Sequence, residues 1–268
     1  MTGKSKPKAK RTPRGASLLD SRLMRVGIYV DGFNLYYGGR GICGRGTAGW
    51  RWLDIRAMVE PFVGWAGAVI DKVVYFTARV DQTETPSSWI DQDAYIAALL
   101  ASGSVTHVEE GRYVSWAKAG PLVANAHAGA HPVLHKVTGN ELLDPTLPLT
   151  VSNDPHVGKV ILATVRRREE KGSDVNVASH LLKDVLTGAV DAAVVITNDS
   201  DLGLPLTMAR EVVPVGTVNP QPGYLAGALR GLPTDGVGRH WWCQLTVRDF
   251  TANQLPDPVG PHRKPSDW

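Results

Sequence analysis

Short, unbroken apolar runs punctuate the chain, and between them apolar residues recur at helical spacing. Arg25–Asp31 (RVGIYVD), Val69–Ala78, Val105–Glu109, Lys159–Val165, Asp191–Thr197 and Pro214–Val218 read as strands. Ser87–Ser102 reads as a helix on Trp89, Tyr95, Ile96, Leu99 and Leu100. Ser173–Leu186 does so on Val177, Leu181, Leu182 and Val185. Leu202–Val212 is a third helix, because Pro205 is tolerated in a first turn. Strands alternate with helices over residues 25–220, and the strands are continuously apolar. Both features predict a mainly parallel sheet buried on two faces. In such sheets ligands bind outside the carboxyl ends of the strands, so the residues at those ends carry the functional question.

The pattern breaks in three places. Residues 1–23, rich in Lys, Pro, Gly and Ser, read as a disordered basic arm. Residues 111–158 form an insertion within the body at 24–220. His127, His131 and His135 are equally spaced there, but Gly129 and Pro132 weaken the helix that would stack them on zinc, so an irregular loop or hairpin is expected. Residues 221–268 form an extension, with a helical stretch (YLAGALRGL), a possible last strand at Trp241–Cys243 and a Pro-rich end.

Composition narrows the class. The 268 residues are 43% hydrophobic and 21% charged, which excludes a disordered chain or a coiled coil. No apolar stretch reaches the roughly 18 residues a membrane helix needs, and no signal-like segment follows the basic start. Two cysteines, Cys43 and Cys243, build neither a disulfide framework nor a thiolate zinc site. A cytoplasmic chain without a membrane partner is expected. The net charge of +3 includes six cations in the first fourteen residues, which hold no acid; the remainder is therefore at −3. Such an arm either adds nucleic-acid affinity or only solubilises.

Aspartates gather where strands should end. Asp31 ends the first strand in VDGFN, Asp199 and Asp201 follow the fifth in TNDSD, and Asp174 opens the helix after EEKGS. Taken singly, each has an ordinary role as a turn or helix-capping residue. Taken together at one rim, they predict Mg²⁺ or Mn²⁺ ligands, since converging carboxylates demand a cation and hard oxygen donors select these ions. Phosphodiester hydrolysis is the chemistry such a pocket implies.

The motifs YVDGFN, EEKGSDVNVASHLLKD and AVVITNDSDL resemble the NYN domain, a branch of the PIN-like nuclease fold, over roughly residues 24–220. The resemblance implies an α/β fold: three α/β/α layers, a central mainly parallel sheet and PIN-like (Rossmann-like) topology. It implies an acidic Mg²⁺ or Mn²⁺ pocket that cleaves RNA, with Asp31, Asp174, Asp199 and Asp201 as the acidic set, and Asn34 and Lys171 at motif positions. His180 stands where the family often has an acid, with Asp184 one turn on. Leu202 replaces a usual aromatic residue.

Arg79 follows the second strand, and Arg166, Arg167 and Arg168 lead towards Lys171, so these five are candidate contacts to an RNA (or DNA) backbone. Trp50, Trp52, Trp65 and Trp116 could stack on bases, but core packing is the expectation for most of them. The leading expectation is a metal-dependent endoribonuclease. The alternative is a non-catalytic RNA-binding regulatory module, which His180 favours. A small-ester phosphohydrolase lacks the second aspartate after Asp31. A Rossmann oxidoreductase is disfavoured because the first strand ends in VDGFN rather than a Gly-x-Gly-x-x-Gly turn.

Overall fold

The computed structural model describes residues 23–125, 131–139 and 143–268. Residues 1–22 of the basic arm, and His127 of the histidine series, lie outside the described residues. Eight strands form one sheet: β1 Met24–Asp31, β2 Ala68–Ala78, β3 His107–Pro121, β4 Leu149–Asp154, β5 Gly158–Lys171, β6 Ala192–Ile196, β7 Val215–Asn219 and β8 Trp241–Gln244. Their order is β4-β5-β3-β2-β1-β6-β7-β8. Pairings from β3 through β8 are parallel; β5 is antiparallel to both β3 and β4. The helices are α1 Gly32–Cys43, α2 Ile55–Val59, α3 Pro86–Ser102, α4 Ser173–Leu186, α5 Gly203–Arg210, α6 Gly227–Arg230 and α7 Val247–Thr251, with short 3-10 turns at Glu60–Phe62 and Ser200–Leu202. Among the described residues no helix is long and apolar enough to cross a membrane.

Period-two alternation in the central strands splits the core into two layers. Val26, Ile28, Val30, Val73, Val194 and Ile196 face a cluster with Leu35, Met58, Ile96 and Phe250 from α1, α2, α3 and α7. Tyr29, Val74, Phe76, Ala193 and Val195 face Val177, Leu181, Leu206 and Leu229 from α4, α5 and α6. The sheet is thus covered on both faces, which is why its strands read as unbroken apolar runs.

The predicted insertion carries strand at both of its ends. β3 continues well beyond the expected Glu109, and β5 extends to Lys171, pairing Arg112 with Lys171 and Pro121 with Leu162. This arm is half exposed, so its apolar pattern is diluted by Lys, Arg and Glu. The sheet also continues past residue 220, where β8 pairs with β7.

Candidate functional site

Counting only the parallel strands, the order is third-second-first-fourth-fifth-sixth, with β1 as the first and β6 as the fourth. β1 therefore lies beside β6 where the winding reverses, and a crevice opens beyond their carboxyl ends. Asp31 ends β1 on its floor and is 1% exposed. Its carboxylate caps α1, accepting from the Asn34 backbone N–H at 3.0 Å, and from Asn34 Nδ2 at 2.6 Å. The Thr197 hydroxyl, just past β6, donates to it at 3.0 Å. Asn34 Oδ1 in turn accepts from the Asn198 N–H and from Gln221 Nε2. Asp31 and Asn34 thus tie three adjacent strand ends together. Asp199 caps the 3-10 turn through the Asp201 N–H at 2.9 Å.

The acids do converge. Burial raises the Asp31 carboxyl above its ordinary value, against its hydrogen bonds, and Asp199 adds to the rise. Asp174, in the first turn of α4, is pushed up to about 6, first by burial and then by Asp31, Asp199, Glu170 and Asp201. An acid whose folded pKa lies above its unfolded one costs stability once ionised, so stability falls as pH rises from about 4 to about 6. Asp174→Asn should remove that slope and stabilise the fold at pH 7. The full shift corresponds to about 3 kcal/mol, but Asp174 is half exposed, and solvent screening leaves roughly 1 kcal/mol. Thermal unfolding at pH 4 and pH 7 checks this; equal effects at both pH values would contradict it.

The expected basic contacts are found in acid-paired positions. Arg79 pairs with Asp93 and Glu110. Arg166 and Arg168 both reach Glu84 at 3.0 Å, and Arg168 also lies over the Tyr113 ring. Glu169 faces Arg167 at 4.0 Å and Lys171 at 2.6 Å. His180 packs on Phe76 and stacks on His107, and its Nε2 faces Glu109 at 3.5 Å. Asp184 is taken by Tyr29 and Lys72. Trp50 and Trp52 are core residues, Trp65 packs on Trp241, and Trp116 is partly exposed beneath Lys171.

Beside the crevice, between α1, α3, β2 and residues 267–268, lies a cavity of about 390 Å³. The sequence reading did not find it. Its walls are aromatic: Tyr36 against Trp50 at 5.7 Å, Trp50 edge-on to Phe250, Tyr95 edge-on to Trp268, and Phe33 edge-on to Tyr113. Arg40 and Arg51 also line it. The available sequence signal was the dense GFNLYYGGR segment directly after Asp31.

No family model matches the chain. A solved structure, of a protein of unknown function VPA0982 from Vibrio parahaemolyticus RIMD 2210633, overlaps 87% of this chain and 99% of its own with a TM-score of 0.44 at 11% identity. The 6-hydroxy-3-succinoylpyridine 3-monooxygenase HspA of Pseudomonas putida (strain DSM 28022 / S16) is 30% identical over 270 residues, covering 92% of this chain and 75% of that protein.

That likeness overturns the expected endoribonuclease, its RNA-binding alternative and the hydrolase class with them: the relative is an oxidoreductase. It also removes the Mg²⁺ or Mn²⁺ pocket as the expected cofactor site. Among the described residues no three His, Cys, Asp or Glu side chains form a group that could hold a metal ion. Asp31 instead spends its lone pairs on three protein donors. By identity and coverage, the chain belongs to the family of the 6-hydroxy-3-succinoylpyridine 3-monooxygenase HspA.

Proposed function

We propose that this protein is a monooxygenase that hydroxylates a small aromatic substrate, by the class of its relative a hydroxylated pyridine. The observation that carries the reading is the 30% identity to a monooxygenase across 92% of the chain. An aromatic-walled cavity at the carboxyl side of the sheet supports it. In such a reaction one atom of O₂ enters the substrate and the other leaves as water, with two electrons from an external reductant.

A dinucleotide reductant does not fit the turn after β1. A pyrophosphate there needs glycines and free amides at the helix start. Here the first turn of α1 is capped by the Asp31 carboxylate, and the negative charge of Asp199 raises both Asp31 and Asp174.

We also propose that the α/β fold has NYN-type, PIN-like topology. The three motifs meet electrostatically around Asp174, which supports that reading.

The test is oxygen labelling. The purified chain is incubated with 6-hydroxy-3-succinoylpyridine or simpler hydroxypyridines, NADH with added free flavin as the external electron source, and ¹⁸O₂. The expected product carries one ¹⁸O and acquires none from H₂¹⁸O. An absence of oxygen-dependent product across that panel would overturn the proposal.

A further inference from the structure

The cavity between α1 and α3 is lined by aromatic rings, and its charged residues divide into two kinds. Arg40 and Arg51 have no carboxylate within 4.0 Å among the described residues. The Arg51 guanidinium donates to the backbone carbonyls of Arg45 and Asp267 and lies 5.0 Å over the Trp50 ring. Arg40, in the last turn of α1, lies 6.0 Å over the Tyr37 ring. By contrast, Arg25, Arg79, Arg166, Arg167 and Arg168 are all ion-paired elsewhere. A guanidinium held against aromatic faces, with donors left over, is suited to bind a planar carboxylate. The lining acids are Asp91 and Asp267. Asp91 feels burial, then Asp267, then the opposing field of Arg51. An acceptor of this kind suits a ring N–H or O–H.

We infer that this cavity is the substrate site and that it selects a single aromatic ring bearing an acid group. The ring lies among Tyr36, Trp50, Tyr95 and Trp268, and the acid lies on Arg40 and Arg51. About 390 Å³ suits one ring with a short side chain. The inference rests on the monooxygenase reading and deepens it by naming the site and the charge of its ligand. Val80, Ser88 and Tyr113 line this cavity and also the neighbouring one beside Arg168, so the two adjoin there.

Binding to the full chain is measured by tryptophan fluorescence with two probes, 6-hydroxypyridine-3-carboxylate and uncharged 2-hydroxypyridine. Arg40→Ala should weaken the carboxylate by about tenfold or more and the neutral ring by under about threefold. Ser88 is exposed near the start of α3 and lines the cavity, so Ser88→Trp leaves the core untouched while filling the cavity with an indole; it should abolish both. Arg51→Lys keeps a charge but loses the planar fork, and should fall between wild type and Arg40→Ala. Near-UV circular dichroism verifies folding of each variant. Wild type that binds neither probe at millimolar concentration, or affinities unmoved by Arg40→Ala and Ser88→Trp, would overturn the site. The two proposals separate cleanly. Label incorporation with variant-insensitive binding sinks the site alone, and variant-sensitive binding without label incorporation sinks the reaction alone.

Discussion

Asp184→Ala is expected to destabilise the fold by about 3 kcal/mol, measured by urea unfolding at pH 7. Asp184 sits on the inner face of α4 and is only 8% exposed. One of its oxygens, Oδ2, accepts from the Tyr29 hydroxyl and from Lys72 Nζ, both at 2.9 Å. Tyr29 is fully buried in β1, and burial followed by the Asp184 charge holds its phenol protonated far above the ordinary value. Truncating Asp184 strands that hydroxyl without an acceptor, which costs about 1–3 kcal/mol. It also leaves a buried ion pair half broken, for which 3–5 kcal/mol is typical. The Lys72 side chain is 27% exposed and can turn to water, so the sum stays near the lower figure. Tyr29→Phe should cost only about 1 kcal/mol, because donor and need vanish together. In the Tyr29→Phe background, Asp184→Ala should cost less than in wild type. Additive costs would show that the hydroxyl and carboxylate do not act as a unit.

The central strands were legible because a strand buried on both faces has no polar positions to blur it. β1, β2, β6 and β7 fall within a residue or two of the apolar runs, and α4 spans the predicted residues. α1 was not legible. Its twelve residues include four glycines, each unfavourable in a helix by about 1 kcal/mol. The structure supplies the reason at two of them. A Cβ on Gly38 would strike the Pro220 carbonyl oxygen, and one on Gly39 would strike Trp50 and Phe250. These glycines are chosen for close packing, which local propensity does not reveal. The partners of the arginines were hidden for a different reason. Arg168 meets Glu84 and Arg79 meets Glu110 only through the register of β3 with β2 and β5. Asp31, Asp199 and Asp201 all act on Asp174, but the inference from crowding to a cation did not follow. Hydrogen bonds from Asn34 and Thr197 hold Asp31 without a cation, and protonation near pH 6 is open to Asp174. The missing Gly-x-Gly-x-x-Gly turn argues against a pyrophosphate at α1, not against oxidation chemistry as a class. The expectation set aside a Rossmann oxidoreductase alone, and the monooxygenase relative lies outside what that motif tests.

Asp31 is the position where the capping and the ligand interpretations of the acids part. Asp31→Ala should cost about 2–4 kcal/mol. The cap of α1 is lost, worth about 0.5–2 kcal/mol, and the Thr197 hydroxyl and the Asn34 amide lose a buried acceptor. Relief of the buried charge offsets part of this, since burial is the largest cause raising the Asp31 carboxyl. Asp31→Asn discriminates further. Its amide oxygen can still accept from the Asn34 N–H, but its NH₂ then faces Asn34 Nδ2, another donor. Asn34 cannot turn its amide over without surrendering the bonds its Oδ1 accepts from Asn198 and Gln221. The isosteric variant should therefore lose most of what the truncation loses. Because the carboxyl is raised in the folded state, the wild-type charge costs more as pH rises, so both variants should look least damaging at high pH. Urea unfolding from pH 5 to pH 8 measures this. An Asp31→Asn protein as stable as wild type at every pH would mean that the carboxylate does not hold β1, β6 and α1 together.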